Sequence, residues 1–443
     1  MIVMKFGGSS VGSSEAIHQV SQVVSNAREQ KPVVVVSALR GITDTLIQTA
    51  KQAQSRQSSP ESLVAVLRER HATVCEELGL DPTPLLEPLS ELEEFLHGVY
   101  FLRELTPRSH DFIVSHGEVL SSRIVAAYLS KVGLPAHPVT GWDIGILTDN
   151  NFGQANVLPA TDTRVKERCE FEASIPIVTG FLAGSESGER TTLGRGGSDY
   201  TAAILGRALN AEEIQIWTDV SGIYSADPRV VPTAFSLAEL SFEEAAELAF
   251  FGAKVLHPKT IEPAVEAGIP VRVLNTFEPQ HPGTTIVGGT RSTSRAIVGL
   301  AAKKNNAILA LESTRMLDAE GYLARVFETL HRHQISVDAI ATSEVSVCMT
   351  VEPRYHTALD TAAGDLQAVA DVDVRPGRSL ICAVGQGIRE NPGTAAQVFK
   401  AMGDAGINIE MISMGSSKIN LTFVVADEDT QSAMRALHDA MIV

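Results

Sequence analysis

The chain has 443 residues, 44% hydrophobic and 20% charged, with 36 Lys plus Arg against 53 Asp plus Glu. That length exceeds one hydrophobic core and predicts two or three domains. The net charge of −17, with no basic stripe and no apolar run of membrane-spanning length, argues against nucleic-acid and membrane partners. Four widely spaced cysteines favour free thiols over disulfides or zinc. We therefore expect a cytoplasmic protein with a small-molecule ligand.

The chain begins with a short apolar strand that ends in a glycine turn, MIVMKFGGSS. Lys5 stands just before Gly7 and Gly8, and Ser13 or Ser14 can cap the helical pattern that follows. Glycines let backbone N–H groups approach an anion, and a following helix directs its positive end to the same place. The stretch predicts a phosphate site, although it is not a Walker motif. An ordinary packing turn between strand and helix is the alternative.

Further apolar runs are predicted as strands of one sheet. They cover residues 32–39, 110–118, 174–184, 213–224 and 269–276. Unbroken Val and Ile runs between helical patterns indicate a mainly parallel sheet covered on both faces. Ligands of such sheets bind where polar loops follow the strand ends. The stretch 278–296, rich in Gly, Pro, Ser and Thr, predicts a domain boundary.

Beyond that boundary lies a degenerate internal repeat. Residues 326–340, VFETLHRHQISVDAI, match residues 398–412, VFKAMGDAGINIEMI. Each copy predicts a helix, a turn and a strand, followed by a second strand with alternating apolar residues. Two such small α+β units indicate a paired module. The alternative is a purely architectural or dimerising tail.

The stretch TTLGRGGSDYTAAILG, residues 191–206, carries the most chemical information. An arginine inside a glycine turn, Arg195, suits bidentate binding of a carboxylate or phosphate better than packing. Ser198 and Asp199 begin a predicted helix, where an isolated Asp is ordinarily a cap. Other polar residues follow predicted strands or precede helices, and each taken singly is usually a solvated or turn residue. They are Glu118, Thr218, Asp219, Tyr224, Arg229 and Lys254.

The segments KFGGSS, VVVVSALRGITDTL, HGEVLSS, TTLGRGGSDYTAA, IWTDVSGIYSADPR and GAKVLHP occur in this order before the two repeats. Together they resemble the aspartate kinases of the amino acid kinase superfamily, over essentially the whole chain. ISVDAIATSEVSV is similar to the monofunctional, lysine-sensitive branch. The resemblance implies an α/β fold. An αβα sandwich with a mainly parallel eight-stranded sheet over 1–290 would precede tandem ferredoxin-like (βαββαβ) ACT modules over 297–443.

The activity implied by the resemblance is transfer of the γ-phosphoryl of ATP, with Mg²⁺, to the side-chain carboxylate of L-aspartate. The product would be 4-phospho-L-aspartate, the first intermediate towards lysine, threonine and methionine. Such a transfer needs positioning and positive charge, because a carboxylate nucleophile needs no base.

The resemblance also implies a role for each matching residue. Lys5 would stabilise the transferring phosphoryl group, and the other catalytic residues would be Asp199 and Lys254. The substrate would be bound by Ser37, Thr43, Glu118, Arg195 and Ser198, with Arg195 on its α-carboxylate and Glu118 on its ammonium. Backbone N–H groups of the glycine turn would bind phosphates, and the nucleotide site would comprise Gly7, Gly8, Ser9, Thr218, Asp219, Tyr224, Arg229, Lys254 and Val255.

For the C-terminal part, the resemblance implies two ACT modules that pair between subunits. The first, about 306–378, would be inserted in the second, about 295–302 plus 379–443. A homodimer is expected, with a dimer of dimers as the alternative. The effector would be an amino acid, with lysine favoured over threonine because Asp338 and Glu344 can both face its ammonium groups. The effector residues would be Met316, Ser336, Val337, Asp338, Ser343 and Glu344.

Two residues depart from the family pattern: Ser9 replaces a threonine, and Asp44 stands where asparagine is usual. Two other functions compete with the aspartate kinase reading. One is a kinase for glutamate or acetylglutamate, although such kinases lack the paired tail. The other is an inactive amino-acid sensor, and the evidence against it is that the chain retains Lys5, Arg195, Asp199 and Lys254. A fused homoserine dehydrogenase is not expected.

Overall fold

A computed structural model describes residues 1–169, 174–252, 256, 258–289, 295–316, 320–415 and 419–442. The chain divides into two units. The first comprises Met1–Ile223, Ala238–Phe242 and Val255–Gly289. The second comprises Tyr224–Leu237, Glu243–Lys254 and Thr290–Val443.

The described chain up to Val287 contains both strands and helices, with four successive helices between the second and third strands. In order, these are β1 (Ile2–Phe6), α1 (Ser14–Asn26), β2 (Pro32–Val36), α2 (Ile42–Ser55), α3 (Pro60–Glu77), α4 (Leu86–Leu102), α5 (Pro107–Lys131), β3 (Ala136–Val139), α6 (Gly141–Ile144), β4 (Leu147–Thr148), α7 (Thr161–Arg168), β5 (Ile175–Thr179), β6 (Leu182–Ser185), β7 (Arg190–Thr192), α8 (Gly197–Leu209), β8 (Glu213–Thr218), β9 (Glu239–Ser241), α9 (Phe242–Phe251), α10 (Glu262–Glu266), β10 (Val271–Asn275) and β11 (Thr284–Val287).

The first unit is built on an eight-stranded sheet of order β3-β5-β2-β1-β8-β10-β11-β9. Neighbouring strands are parallel except β10 and β11. The central strand β2 is buried at every position, which explains its unbroken apolar sequence, PVVVV. The predicted mainly parallel sheet is thus confirmed. A small sheet of order β4-β6-β7 leads the chain towards α8.

One predicted strand is wrong. Residues 110–118 lie within α5, a helix of 25 residues. Thr106 caps this helix by accepting a hydrogen bond from the Ser109 N–H, and Pro107 occupies its first turn. These start signals, together with burial on several faces, outweigh the strand preference of the short apolar run. Glu118 therefore lies inside a helix and not before one.

The second unit contains the predicted repeats. Its elements from Gly299 onward are β12 (Gly299–Glu312), α11 (Tyr322–Arg332), β13 (Val337–Thr342), β14 (Ser346–Val351), α12 (His356–Leu366), β15 (Asp371–Val384), α13 (Gly387–Glu390), α14 (Thr394–Asp404), β16 (Met411–Ser413), β17 (Asn420–Ala426) and α15 (Thr430–Met441). They form one six-stranded sheet of order β13-β14-β12-β15-β17-β16. Its described strand pairs are antiparallel.

The two repeats share the long strands β12 and β15. The later half of β12, from Ala307, pairs with β14 of the first repeat, while its earlier half pairs with Leu380–Val384 of β15. A register shift between Lys303 and Asn306 separates the halves. The predicted limits of the two modules stay a prediction.

Two segments that precede the predicted boundary at 278–296 also belong to the second unit, namely Tyr224–Leu237 and Glu243–Lys254. The predicted boundary places both of them in the first domain. The Glu244 carboxylate of α9 accepts a hydrogen bond from the Gln386 N–H at 3.1 Å. The Asn420 amide donates to Glu247 at 2.7 Å. Polar contacts between residues far apart in sequence thus hold α9 in this unit. Among the described residues, no helix is both long and apolar enough to cross a bilayer.

Candidate active site

A buried ion pair lies at the end of the first strand. The ammonium of Lys5, on β1, is 2.6 Å from Asp199 Oδ1, in the first turn of α8, and both side chains are 12% exposed. Asp199 is therefore not the cap of α8, whose N-cap is Gly196. Asp199 fixes the position of the lysine charge.

The glycine turn after β1 brings bare backbone to this lysine. A Cβ added to Gly7 would lie 3.4 Å from Lys5 Nζ. The Gly7 N–H itself donates to the Trp217 carbonyl at 3.2 Å, which contradicts its predicted role as a phosphate donor. For Gly8 and Ser9, the described residues supply no backbone acceptor, so these two N–H groups suit an anion.

Glu118 is a fully buried carboxyl on α5. Its Oε1 accepts the Ala38 N–H at 3.1 Å, while its Oε2 has no hydrogen-bond partner among the described residues. Burial raises the pKa of Glu118 from 4.5 to about 8. A buried acceptor without a partner is costly, and a ligand ammonium would satisfy it.

Two serines join β2 to α8 beside these charges. The Ser37 hydroxyl donates to Ser198 Oγ at 3.0 Å, and Ser121 donates to the Ser37 carbonyl at 2.7 Å. Thr43 is half-buried in the first turn of α2, where the neighbouring Asp44 is exposed. Ser37 and Ser198 thus lie together at the carboxyl ends of β1 and β2. The segment that precedes Thr43 begins at the same place.

Arg195 is exposed between two glycines with left-handed backbone, Gly194 at φ 76° and Gly196 at φ 73°. These angles explain the glycines, because other residues rarely adopt them. No hydrogen bond or ion pair joins the Arg195 guanidinium to the described part of the chain. Its guanidinium is therefore free to bind a ligand.

The predicted nucleotide residues are distributed over both units. Thr218 ends β8 next to β1, and its hydroxyl donates to Asp219 at 3.2 Å. Tyr224 and Arg229 belong to the second unit, where the exposed Arg229 pairs with Asp227 at 2.7 Å. Lys254 and Val255 lie outside the described residues.

The predicted effector residues do not form one cluster within a protomer. Asp338 lies near the start of β13, whereas Ser343 and Glu344 are exposed in the turn that follows β13. The length of the strand separates them by about 20 Å. One amino acid therefore cannot contact both carboxylates of the same protomer, so their joint role at a seam between subunits stays a prediction. Ser336 is exposed beside Asp338, Val337 is half-buried, and Met316 packs on the core of the first repeat.

Sequence reasoning missed Lys303, which pairs with Asp338. Its ammonium is 3.1 Å from Asp338 and 3.1 Å from Glu352, and it lies 4.0 Å from the centre of the Phe250 ring. Burial is the main cause that raises the pKa of Asp338 above its usual range. A lysine in an irregular stretch of a strand gives no sequence signal for these distant partners.

Comparison with known proteins agrees with these observations. Residues 1–275 match the sequence profile of the amino acid kinase family, and residues 309–358 and 381–441 match that of the ACT domain. Aspartokinase 1, chloroplastic, from Arabidopsis thaliana is 39% identical over 451 residues, which cover 98% of this chain and 79% of that protein.

Two solved structures of E. coli aspartokinase III cover 100% of both chains. The complex with aspartate and ADP (R-state) has a TM-score of 0.80 at 33% identity. The complex with lysine and aspartate (T-state) has a TM-score of 0.85 at 34% identity. With this fold and these similarities along its whole length, the chain belongs to the aspartokinases of the amino acid kinase family, which here carries ACT domains in its C-terminal part.

Proposed function

We propose that the protein transfers the γ-phosphoryl group of ATP to the side-chain carboxylate of L-aspartate, producing 4-phospho-L-aspartate. The observation that carries this proposal is the buried Lys5–Asp199 pair beside a glycine turn with free N–H groups. Among the described residues of the same unit, the Arg195 guanidinium and one oxygen of the buried Glu118 carboxyl have no partner, and they suit the two charges of an amino acid. The similarity to an enzyme crystallised with aspartate and ADP supports the assignment.

In this mechanism the chain positions both reactants. Arg195 binds the α-carboxylate of aspartate through its planar guanidinium, and Glu118 Oε2 accepts from the ammonium. The side-chain carboxylate is already ionised, so it attacks the γ-phosphorus without a general base, while the bond from that phosphorus to the bridging β-phosphate oxygen breaks and ADP leaves. Lys5 offsets the negative charge on the phosphoryl oxygens during transfer, and Asp199 holds its ammonium in place.

Mg²⁺ is part of this proposal because it neutralises phosphate charge in phosphoryl transfer. Mg²⁺ usually binds through one or two carboxylates together with substrate phosphates. Among the described residues, no group of three or more His, Cys, Asp or Glu side chains is arranged to hold a metal ion. The ion would therefore be bound largely by the nucleotide.

Feedback inhibition by lysine is also proposed. The E. coli structure with lysine and aspartate supports it, as does the partly buried Asp338 carboxylate. For one lysine molecule to contact both Asp338 and Glu344, the two residues must come from different protomers, so the proposal includes a homodimer paired through the ACT modules. A dimer of dimers and a cytoplasmic location remain proposals. All four cysteines are free thiols, as expected in a reducing compartment.

A coupled ADP-release assay tests the function. We expect activity with aspartate, ATP and Mg²⁺, and little with glutamate or acetylglutamate. Activity with glutamate alone would assign a different kinase, and no turnover with any acceptor would favour an inactive sensor. Titration with lysine, threonine and methionine then tests regulation. We expect lysine alone to inhibit strongly, and the Asp338→Ala variant to keep its kcat while needing much more lysine.

A further inference from the structure

A second buried carboxylate on α5, Asp111, has no role in the chemistry described above. Its side chain is 0% exposed, and both of its oxygens are bonded. Oδ2 accepts the N–H groups of Gly153 and Thr192, each at 2.9 Å, and Oδ1 accepts the Thr192 hydroxyl at 2.9 Å. The His110 ring nitrogen is 3.8 Å from Oδ1. The hydrogen bonds from Gly153 and Thr192 are charge-assisted because a carboxylate accepts them, and such bonds hold their donors firmly.

The groups that donate hydrogen bonds to Asp111 belong to the two segments that contact the turn carrying Arg195. Thr192 ends β7 three positions before Arg195. The Thr192 carbonyl accepts the Ala155 N–H at 2.9 Å, which joins this strand to the loop of Gly153. That loop packs on Gly194, where an added Cβ would lie 3.0 Å from Gln154 Cγ. Asp111 thus ties together both segments that contact the glycine turn.

Asp111 and Glu118 are seven positions apart on one helix, or about two turns, so they share a face. We propose that Asp111 is a positioning residue that holds Arg195 where it meets the α-carboxylate of the substrate. Helix α5 then sets the distance between the groups that bind the substrate's ammonium and its α-carboxylate. This inference rests on the proposed function.

The first test compares Asp111→Asn with the parent enzyme. The amide keeps the size of the side chain but removes the charge, which weakens its bonds to Gly153 and Thr192. We expect a roughly tenfold higher KM for aspartate, with the KM for ATP and kcat within about threefold. Thr192→Val removes one hydroxyl bond and should raise the aspartate KM in the same direction by a smaller factor. If Asp111→Asn fails to fold, Thr192→Val tests the proposal in its place.

The control is Asp162→Asn, which removes a partly exposed carboxylate that accepts two hydrogen bonds from Arg207 on α8. We expect its aspartate KM to match that of the parent enzyme. A rise equal to that of Asp111→Asn would show a general effect of lost packing and overturn the proposal.

A double-mutant cycle separates positioning from simple destabilisation. In an Arg195→Ala background, Asp111→Asn should raise the aspartate KM by less than about twofold, because the residue that it positions is gone. The same factor in both backgrounds would overturn the inference. Failure of the parent enzyme to phosphorylate aspartate would instead reject the proposed function, so the two failures are distinguishable.

Discussion

At the scale of single residues, the charge of Lys5 makes the sharpest prediction. In Lys5→Met the side chain keeps its length but no longer offsets charge on the transferring phosphoryl group. We expect kcat to fall by about 10²- to 10³-fold, as when one positioned donor is lost from a transition-state site. ATP binding, measured by calorimetry, should persist.

Lys51→Met is the control for Lys5→Met, because Lys51 is an exposed lysine on α2. Its kcat should equal that of the parent enzyme. A kcat for Lys5→Met within threefold of the parent value would remove Lys5 from the chemical step.

The raised pKa of Glu118 predicts proton release on substrate binding. Folding raises this pKa from 4.5 to about 8, so between these pH values the free folded protein holds a proton that the unfolded chain has lost. The stability of the free protein should therefore fall as pH rises through this window. An ammonium bound at Oε2 favours the ionised carboxylate, so aspartate binding at pH 7 should release about one proton per site.

Calorimetry in buffers of different ionisation enthalpy measures this proton. Release should fade above pH 8, and Glu118→Gln should show none at any pH. Equal binding enthalpies in all buffers at pH 7 would mean that Glu118 is already ionised in the free protein or does not meet the ammonium.

At the scale of elements, the approach of β5 to α8 depends on one glycine. A Cβ added to Gly180 would lie 2.6 Å from Ser198 Cβ and 3.0 Å from its Cα. Gly180→Ala should therefore push the first turn of α8 away from Ser37 and Lys5. We expect a loss of about 1 to 3 kcal/mol of stability, and a lower kcat/KM for aspartate.

Gly206→Ala on the same helix is the control for Gly180→Ala. Its added Cβ would meet Cδ1 and Cγ1 of the buried Ile214 side chain at 2.5 and 2.7 Å, so this variant crowds α8 as closely as Gly180→Ala but away from Ser198. Activity should be retained in this variant. Equal loss of activity in both variants would show that crowding anywhere on α8 is harmful. The effect of Gly180→Ala would then not be specific to the first turn of α8.

The elements also show what sequence alone can predict. The run of valines predicts that β2 is a buried parallel strand, because a strand that is apolar at every position is buried on both faces. The apolar run at 110–118 does not distinguish a strand from a buried helix, and the start of α5 lies before it. The ordered motifs predict a phosphate and substrate site at the ends of β1 and β2, and this site stays a prediction. The bonds of Asp111 depend on folding in three dimensions, and no local pattern predicts them.

At the scale of the whole molecule, Lys303 connects the predicted effector residue to α9. The Asp338 carboxylate is paired with the Lys303 ammonium, which also lies against Phe250 of α9. The side chain of Asp338 is only 9% exposed, so an effector ammonium can reach full contact only by sharing or displacing Lys303. The proposed binding of lysine at Asp338 would therefore be linked to the position of α9 within the second unit.

The Lys303→Met variant tests this competition. Removing the internal ammonium leaves Asp338 buried without its partner, which destabilises the free form and leaves the effector-bound form less affected. The lysine concentration for half-inhibition should therefore fall, by roughly tenfold for the loss of one charge-assisted bond. Lys304→Met, a change at the exposed neighbouring lysine, should leave that concentration unaltered. A higher lysine requirement in Lys303→Met would show that the Lys303–Asp338 pair persists in the inhibited state and supports effector binding rather than competing with it.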